Sequence, residues 1–270
     1  MALREAGPDI ARRRAIRPQS LARRSALVAL GASGLVGAQA HFVRRRPYLF
    51  EPPEDLLEVL YGDADRALNL TVIGDSTAVG VGAGTRARSY PAQLAGLLAA
   101  ERIPVRLSVV GRSGARWADV ASELAPQAAQ LGPDLVVIGI GGNDAIHLTQ
   151  VRSLRKSVSA ALEMLCDAAT SVLVILGPRF DSPVCPRPLR DIVESRCRAV
   201  NRCIARVAAE FDVPTIDPRP LLGDSFAREP LRYFSEDLLH PGPEGYRLWA
   251  EAVAGPVIEA ASEVMAEDAR

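Results

Sequence analysis

Residues 68–77 read Leu-Asn-Leu-Thr-Val-Ile-Gly-Asp-Ser-Thr. Leu68–Ile73 is a short apolar run that stops at Gly74, the pattern of a buried strand ending in a turn. The chain then repeats the theme. Tyr90–Ala100 places Leu94, Leu97 and Leu98 on one side of a helix, and Val105–Val110 is a second strand. A helix over about residues 117–130 leads to Asp134–Ile140, a third strand, almost wholly apolar as parallel strands covered on both faces are. Val151–Ala169 is a long helix and Val172–Leu176 a fourth strand. Val193, Cys197, Val200, Ile204, Val207 and Phe211 then recur at alternating spacings of four and three, a helical stripe. Val213–Ile216 makes a fifth strand and Tyr246–Met265 a closing helix. Five β/α units predict an α/β fold with a five-stranded parallel sheet between helix layers and a site at the carboxyl ends of the strands. Residues 51–270 read as a single domain without internal repeats.

The composition agrees: 48% apolar and 24% charged residues exclude disorder, collagen and coiled coil. Basic and acidic residues balance at 32 each, but unevenly along the chain. Residues 1–50 carry ten arginines against Glu5 and Asp9, so the remainder is acidic, with 22 basic and 30 acidic groups. An acidic folded region argues against a nucleic-acid-binding surface. The first 50 residues read as an export signal or membrane tether with basic flanks. Arg12, Arg13, Arg14, Arg17, Arg23 and Arg24 precede the small and apolar stretch Ala26–Ala40, which ends in Ala38-Gln39-Ala40, an A-x-A cleavage pattern, with Arg44–Arg46 beyond. A secreted or envelope-associated protein is expected, with membrane association through this segment if it is retained. The other reading of the segment is a basic tail.

Candidate chemistry follows the strands. Gly74-Asp75-Ser76-Thr77 comes after the first, Gly111-Arg112-Ser113-Gly114 after the second, Gly141-Gly142-Asn143-Asp144 after the third, and Asp237-Leu238-Leu239-His240 lies far downstream. Ser76 either caps a helix or is a nucleophile, and a nucleophilic serine needs a base close by. The histidines are His41, His147 and His240. His41 lies in the leader. His147 lacks an orienting carboxylate at a recognisable spacing, with Asp144 read as a turn residue. His240 has Asp237 three residues before it, close enough to accept the Nδ1–H and turn Nε2 outward. That pair alone is also a common structural motif. Asn143 and Gly114 add what acyl transfer requires next, fixed N–H donors where an oxyanion forms; Asn143 alone would equally suit a turn.

These four blocks resemble those of the SGNH (GDSL-type) hydrolase superfamily over about residues 70–255. The family's Gly-Asp-Ser, Gly-x-Asn-Asp and Asp-x-x-His blocks correspond to Gly74–Ser76, Gly141–Asp144 and Asp237–His240. The resemblance implies a three-layer flavodoxin-like sandwich and a metal-independent esterase or lipase. It makes Ser76 the nucleophile, His240 the base, Asp237 its orienter, and Ser76 N–H, Gly114 N–H and the Asn143 side chain the oxyanion hole. Thr77 stands where the name-giving motif has Leu. The second block lacks the Asn that often precedes its glycines, so Gly111 competes with Gly114 for the oxyanion role. The expected substrate is a small-molecule or lipid ester, with a sugar-ester deacetylase as the near alternative and a catalytically silent binding protein as the distant one.

Gly80-Val81-Gly82-Ala83-Gly84 could cradle a phosphate, but no Gly-Lys-Ser/Thr follows it. No cofactor and no metal is expected, and a monomer is. Cys166 reads as an inert core residue. Cys197 and Cys203 are six apart on one helix and cannot pair with each other, so Cys185, in the proline-rich loop before them, is expected to bridge to either of the two, Cys197 ahead of Cys203. That loop, Gly177–Arg190, and the segment Leu231–Leu238 are expected to wall a shallow groove for short to medium acyl chains.

Overall fold

A computed structural model describes residues 34–41, 58–62 and 67–267. The chain divides into two compact units, residues 1–44 and 45–270. In the first, residues 34–41 are helical; the leader arginines, residues 26–33 and Arg44–Arg46 lie outside the described residues. Among the described residues no helix is long and apolar enough to cross a membrane.

The second unit holds a six-stranded sheet: β1 (Glu58–Tyr61), β2 (Leu68–Gly74), β3 (Val105–Gly111), β4 (Leu135–Gly139), β5 (Ser171–Ile175) and β6 (Thr215–Ile216). The spatial order is β1-β3-β2-β4-β5-β6. β2 to β6 are parallel, as the five β/α units predict, and β1 adds an antiparallel edge on β3. β1 escapes the sequence pattern because it is four residues long and no crossover helix separates it from β2. The chain leaves β2 for β3 on one side and reaches β4 on the other, so the loop after β2 sits at a switch point, where α/β sheets place their ligands.

Alternate side chains of each strand feed two cores. Leu68, Leu70, Val72, Leu135, Val137, Leu173 and Ile175 face α2 (Tyr90–Ala100) and the closing helix α7 (Pro243–Glu267). Ile73, Val136, Ile138, Val172 and Val174 face the other layer, formed by α3 (Trp117–Asp119), α5 (Val151–Ala168) and α6 (Leu189–Glu210). Fully burying one such side chain contributes about 1.5–3 kcal/mol, and the strands carry them on both faces, which is why they read as unbroken apolar runs. The helix expected over 117–130 is interrupted: α3 gives way to a π turn at Val120–Leu124 before a last helical piece, Ala125–Ala129. Pro126 has no N–H to donate to Ser122, and a wider turn tolerates that.

All four cysteines are free. The expected Cys185–Cys197 bridge is therefore not present. Arg190 Nε donates to the Cys185 carbonyl oxygen, 2.8 Å, which holds Cys185 near the start of α6. Cys197 lies eight residues beyond Leu189, about 12 Å along the helix axis, with its thiol in the core and its pKa pushed up to about 12 by burial. Cys166, expected in the core, is exposed.

Candidate active site

The loop after β2 turns into a one-turn helix, α1 (Ser76–Val79). Its cap is Asp75, whose Oδ1 accepts from the Thr77 N–H at 3.0 Å and the Thr77 hydroxyl at 2.9 Å. Ser76 is thereby released from capping, the other role its position allowed. Its hydroxyl faces His240 instead, with Oγ 3.0 Å from Nε2. On the other side of the ring, His240 Nδ1 lies 2.6 Å from Asp237 Oδ2. With a proton on Nδ1 donated to the carboxylate, Nε2 is left to accept from the serine hydroxyl.

Asp237 is fixed by more than the imidazole. Its Oδ1 accepts from the backbone N–H of Leu239 and of His240, both at 2.9 Å, and from the Ser235 hydroxyl at 2.8 Å. Burial would raise its pKa, but the bonds from His240, Leu239 and Ser235 win and hold the carboxyl well below the usual range. The loop that carries the pair closes on itself: Ser235 N–H donates to the His240 carbonyl oxygen at 2.8 Å, Gly242 N–H to that of Tyr233 at 2.8 Å, and Leu238 takes a left-handed φ of 54° between them.

The glycine-rich stretch after α1 has a packing task rather than a phosphate to hold. A Cβ at Gly82 would stand 2.6 Å from the Pro241 carbonyl oxygen and 2.9 Å from Ser235. Only glycine lets this loop lie against the loop of Asp237 and His240. The Tyr246 hydroxyl, from α7, donates to the Val81 carbonyl oxygen at 2.7 Å and fastens the other side.

Asn143 opens the first turn of α4 (Gly142–Ile146). Its Nδ2 donates to the Ala115 carbonyl oxygen at 3.1 Å and lies 3.4 Å from Asp75 Oδ2. Gly114 adjoins that Ala115 in a tight turn, where Ala115 N–H donates to the Arg112 carbonyl oxygen and Gly114 has φ 79°. The structure therefore brings the turn of Gly114, the amide of Asn143 and Asp75 together, beside Ser76. Gly111, the competing glycine, is the last residue of β3 and pairs with Gly74 inside the sheet. His147 is exposed at the end of α4.

Three residues contribute to the site in ways that the sequence does not announce. Ser235 braces Asp237, and a Ser two positions before an Asp is the faint signal that could have shown it. Asp144, read as a turn residue, is buried, and its Oδ2 accepts the Trp117 N–H at 3.0 Å, tying α4 to the segment that follows Gly114. Burial pushes its carboxyl up, more than the Trp117 bond lowers it. The Ser182 hydroxyl donates to the Leu238 carbonyl oxygen at 2.8 Å and joins the two expected groove walls. Between these walls lies a half-open cavity of about 160 Å³, whose lining includes Asp75, Thr77, Ile175 and Trp249. Its sides are Pro178, Phe180, Phe226, Phe234 and Leu239. Among the described residues no group of three or more His, Cys, Asp or Glu side chains is placed to hold a metal ion.

A hydroxyl, an imidazole and a carboxylate in line at the carboxyl edge of a parallel sheet define the class of α/β sandwiches with a serine-hydrolase-type site. A model of the GDSL-like lipase/acylhydrolase family matches residues 72–248, and the chain belongs to that family. No curated protein matches it significantly in sequence. Among solved structures it is similar to LAE5, an α/β hydrolase from the metagenome of Lake Arreo, at 22% identity and a TM-score of 0.56 over 73% of this chain and 97% of that one. It is likewise similar to the lipase Lip_vut3 from a goat rumen metagenome, at 21% identity and a TM-score of 0.57 over 70% of this chain and 98% of that one. A variant of Axe2, an acetyl xylan esterase from Geobacillus stearothermophilus, aligns at 17% identity and a TM-score of 0.55 over 74% of this chain and 96% of that one. These neighbours share the fold.

Proposed function

We propose that this chain is an exported serine esterase that hydrolyses carboxylic esters of short to medium acyl chains through an acyl-enzyme on Ser76. The observation that carries the reading is the unbroken line from Ser76 Oγ through His240 to Asp237, at 3.0 Å and 2.6 Å. Ser76 Oγ attacks the ester carbonyl carbon while its proton passes to His240 Nε2. The oxyanion is held by three donors: the Asn143 amide, which exchanges its long 3.4 Å bond to Asp75 Oδ2 for it, the Gly114 N–H and the Ser76 N–H, which opens a helix and has no intrahelical acceptor. His240 returns the proton to the departing alkoxide, and the alcohol leaves. A water then gives its proton to His240 as its oxygen attacks the acyl carbon, and the acid departs as Ser76 Oγ is reprotonated. Asp237 stays ionised throughout and stabilises the imidazolium.

The apolar cavity beside this line supports an acyl group longer than acetyl over the sugar-ester reading. Its volume holds a handful of methylenes, each contributing about 0.8 kcal/mol when buried. A panel of p-nitrophenyl esters, with acetylated xylan and lysophospholipid beside it, tests the reading. Wild-type protein should cleave butanoyl and hexanoyl esters fastest, and Ser76→Ala none of them. Hydrolysis that survives in Ser76→Ala, or confined to acetylated glycan, would contradict it. N-terminal sequencing of the secreted or membrane fraction tests the export part. A start at His41 or an intact tethered chain supports it, and full-length protein found in the cytosol alone refutes it.

A further inference from the structure

Two neighbouring residues of α4 reach across to the segment that follows Gly114, and they do so in opposite senses. Asn143 Nδ2 donates to the Ala115 carbonyl oxygen at 3.1 Å, and Asp144 Oδ2 accepts the Trp117 N–H at 3.0 Å. Ala115, Trp117 and Asp144 are all buried. Trp117 opens α3, so its N–H has no acceptor within that helix and takes one from 27 positions downstream. Gly141, just before α4, has φ 134°, and a Cβ there would stand 3.2 Å from Ile204 and 3.3 Å from Val200. α4 therefore starts tight against α6 and forms the fixed side of this contact.

The consequence falls on the Asn143 amide, which has two N–H bonds to give. One goes to Ala115 at 3.1 Å, and the other faces Asp75 Oδ2 at 3.4 Å, the long bond that an oxyanion takes over. The Ala115 carbonyl is then the pivot that sets where the second N–H points. That carbonyl stands between two anchors. On one side the Ala115 N–H donates to the Arg112 carbonyl oxygen at 3.0 Å and closes the turn of Gly114. At the surface this turn is braced by Asp119, which accepts from the Arg112 guanidinium and the Arg116 N–H, both at 2.8 Å. On the other side, two residues beyond Ala115, the anchor is Asp144, and it is the buried one.

Resting on the esterase reading above, we propose that Asp144 is a positioning residue for the reaction: it fixes the Ala115 carbonyl and so aims the Asn143 amide at the forming oxyanion. Asp144 acts through its neighbour and supplies no donor of its own. Without it the Trp117 N–H is left buried and unpaired, and the segment carrying the pivot shifts to satisfy it. An oxyanion donor displaced by a fraction of its bond length loses much of its worth, because its advantage lies in already pointing where charge develops.

The test is a double-mutant cycle with p-nitrophenyl butanoate, with rates taken per folded protein from circular dichroism. Asp144→Ala should lower kcat by about 10–100-fold with KM within about twofold, since the amide it aims acts in the transition state. In an Asn143→Ala background the same substitution should cost less than about threefold, because no amide is left to aim. Asp144→Asn keeps an oxygen for the Trp117 N–H and should recover most of the loss. Equal losses in both backgrounds, a loss carried by KM, or an Asp144→Asn as impaired as Asp144→Ala would overturn the proposal. If Asp144→Ala does not fold, Asp144→Ser, whose side chain is too short for the Trp117 N–H, takes its place in the cycle. A second measurement needs no turnover. In ¹H–¹⁵N correlation spectra the Asn143 side-chain amide pair, identified by its disappearance in Asn143→Ala, should move in Asp144→Ala and hold its place in Asp144→Asn. A pair that does not move in Asp144→Ala refutes the positioning role whether or not any ester is cleaved. Absence of hydrolysis by wild type counts against the esterase reading alone.

Discussion

Around Asp237 the acceptors are fully used, with Leu239 N–H, His240 N–H and Ser235 Oγ on one carboxylate oxygen and the His240 ring on the other. The cavity beside it is different: Pro178, Phe180, Phe226, Phe234 and Leu239 give it apolar sides. The first region is preorganised: its charge is already solvated by the protein, and none of it needs to move when Ser76 reacts. We read the first as the reacting apparatus and the second as the place where substrates are sorted. Substitutions in the two regions should therefore fail differently, the first in kcat and the second in the ratio between substrates.

The largest effects should come from the line itself. Ser76→Ala and His240→Ala should each lower kcat for p-nitrophenyl butanoate by about 10⁵–10⁶, with circular dichroism unchanged. Asp237→Asn keeps the shape but offers His240 the wrong partner, and a loss of about 10⁴ is expected. A loss below tenfold would mean that the saturated bonding around Asp237 serves the loop rather than the reaction. Asn143→Ala should cost about 10²–10³ in kcat, with KM little changed, as removal of one oxyanion donor does. Ser235→Ala should cost about tenfold or less in kcat and leave the hexanoyl-to-acetyl rate ratio untouched, since it only braces the carboxylate. A shifted ratio would break the division between the two regions.

The smallest effect concerns pH. Bonding holds the Asp237 carboxyl below its ordinary range in the folded protein. Its contribution to stability is thus fully present above about pH 3.9, the value of a free Asp, and is lost as pH falls through the folded value. Thermal melts of wild type and Asp237→Asn should be furthest apart near neutrality and converge below about pH 4. A gap that stays constant down to pH 3 would show that the ionised carboxylate is not what stabilises the loop.

The two regions also differed in how far they could be read from sequence. The strands β2, β4 and β5 are covered on both faces, so their apolar runs are nearly continuous, and the blocks of Ser76 and Asn143 stand directly after β2 and β4. Ser76 and Asn143 were legible for that reason, and Asp237 and His240 from their own spacing of three. β6 shrinks to Thr215–Ile216, and β1 is a short edge strand with little pattern to show. The cavity was legible only as two walls. Its lining joins Thr77, Gly139 and Trp249, which lie on three elements separated by 62 and 110 positions in sequence, and no local spacing links them. Asp144 misled because an Asp after Asn at a strand end looks like a turn. Its partner, the Trp117 N–H, lies 27 residues upstream. The cysteine pairing misled because three cysteines within a short stretch suggest a bridge, whereas helix geometry sets Cys185 and Cys197 at different heights along α6.

The central claim is that Ser76 becomes covalently acylated with His240 as its base. Intact-protein mass spectrometry after exposure to a fluorophosphonate, followed by peptide mapping, tests it most directly. One adduct per wild-type chain is predicted, located on the peptide carrying Ser76, with labelling slowed by orders of magnitude in His240→Ala and absent in Ser76→Ala. Wild-type protein that stays unlabelled, or a label on any other residue, would contradict it.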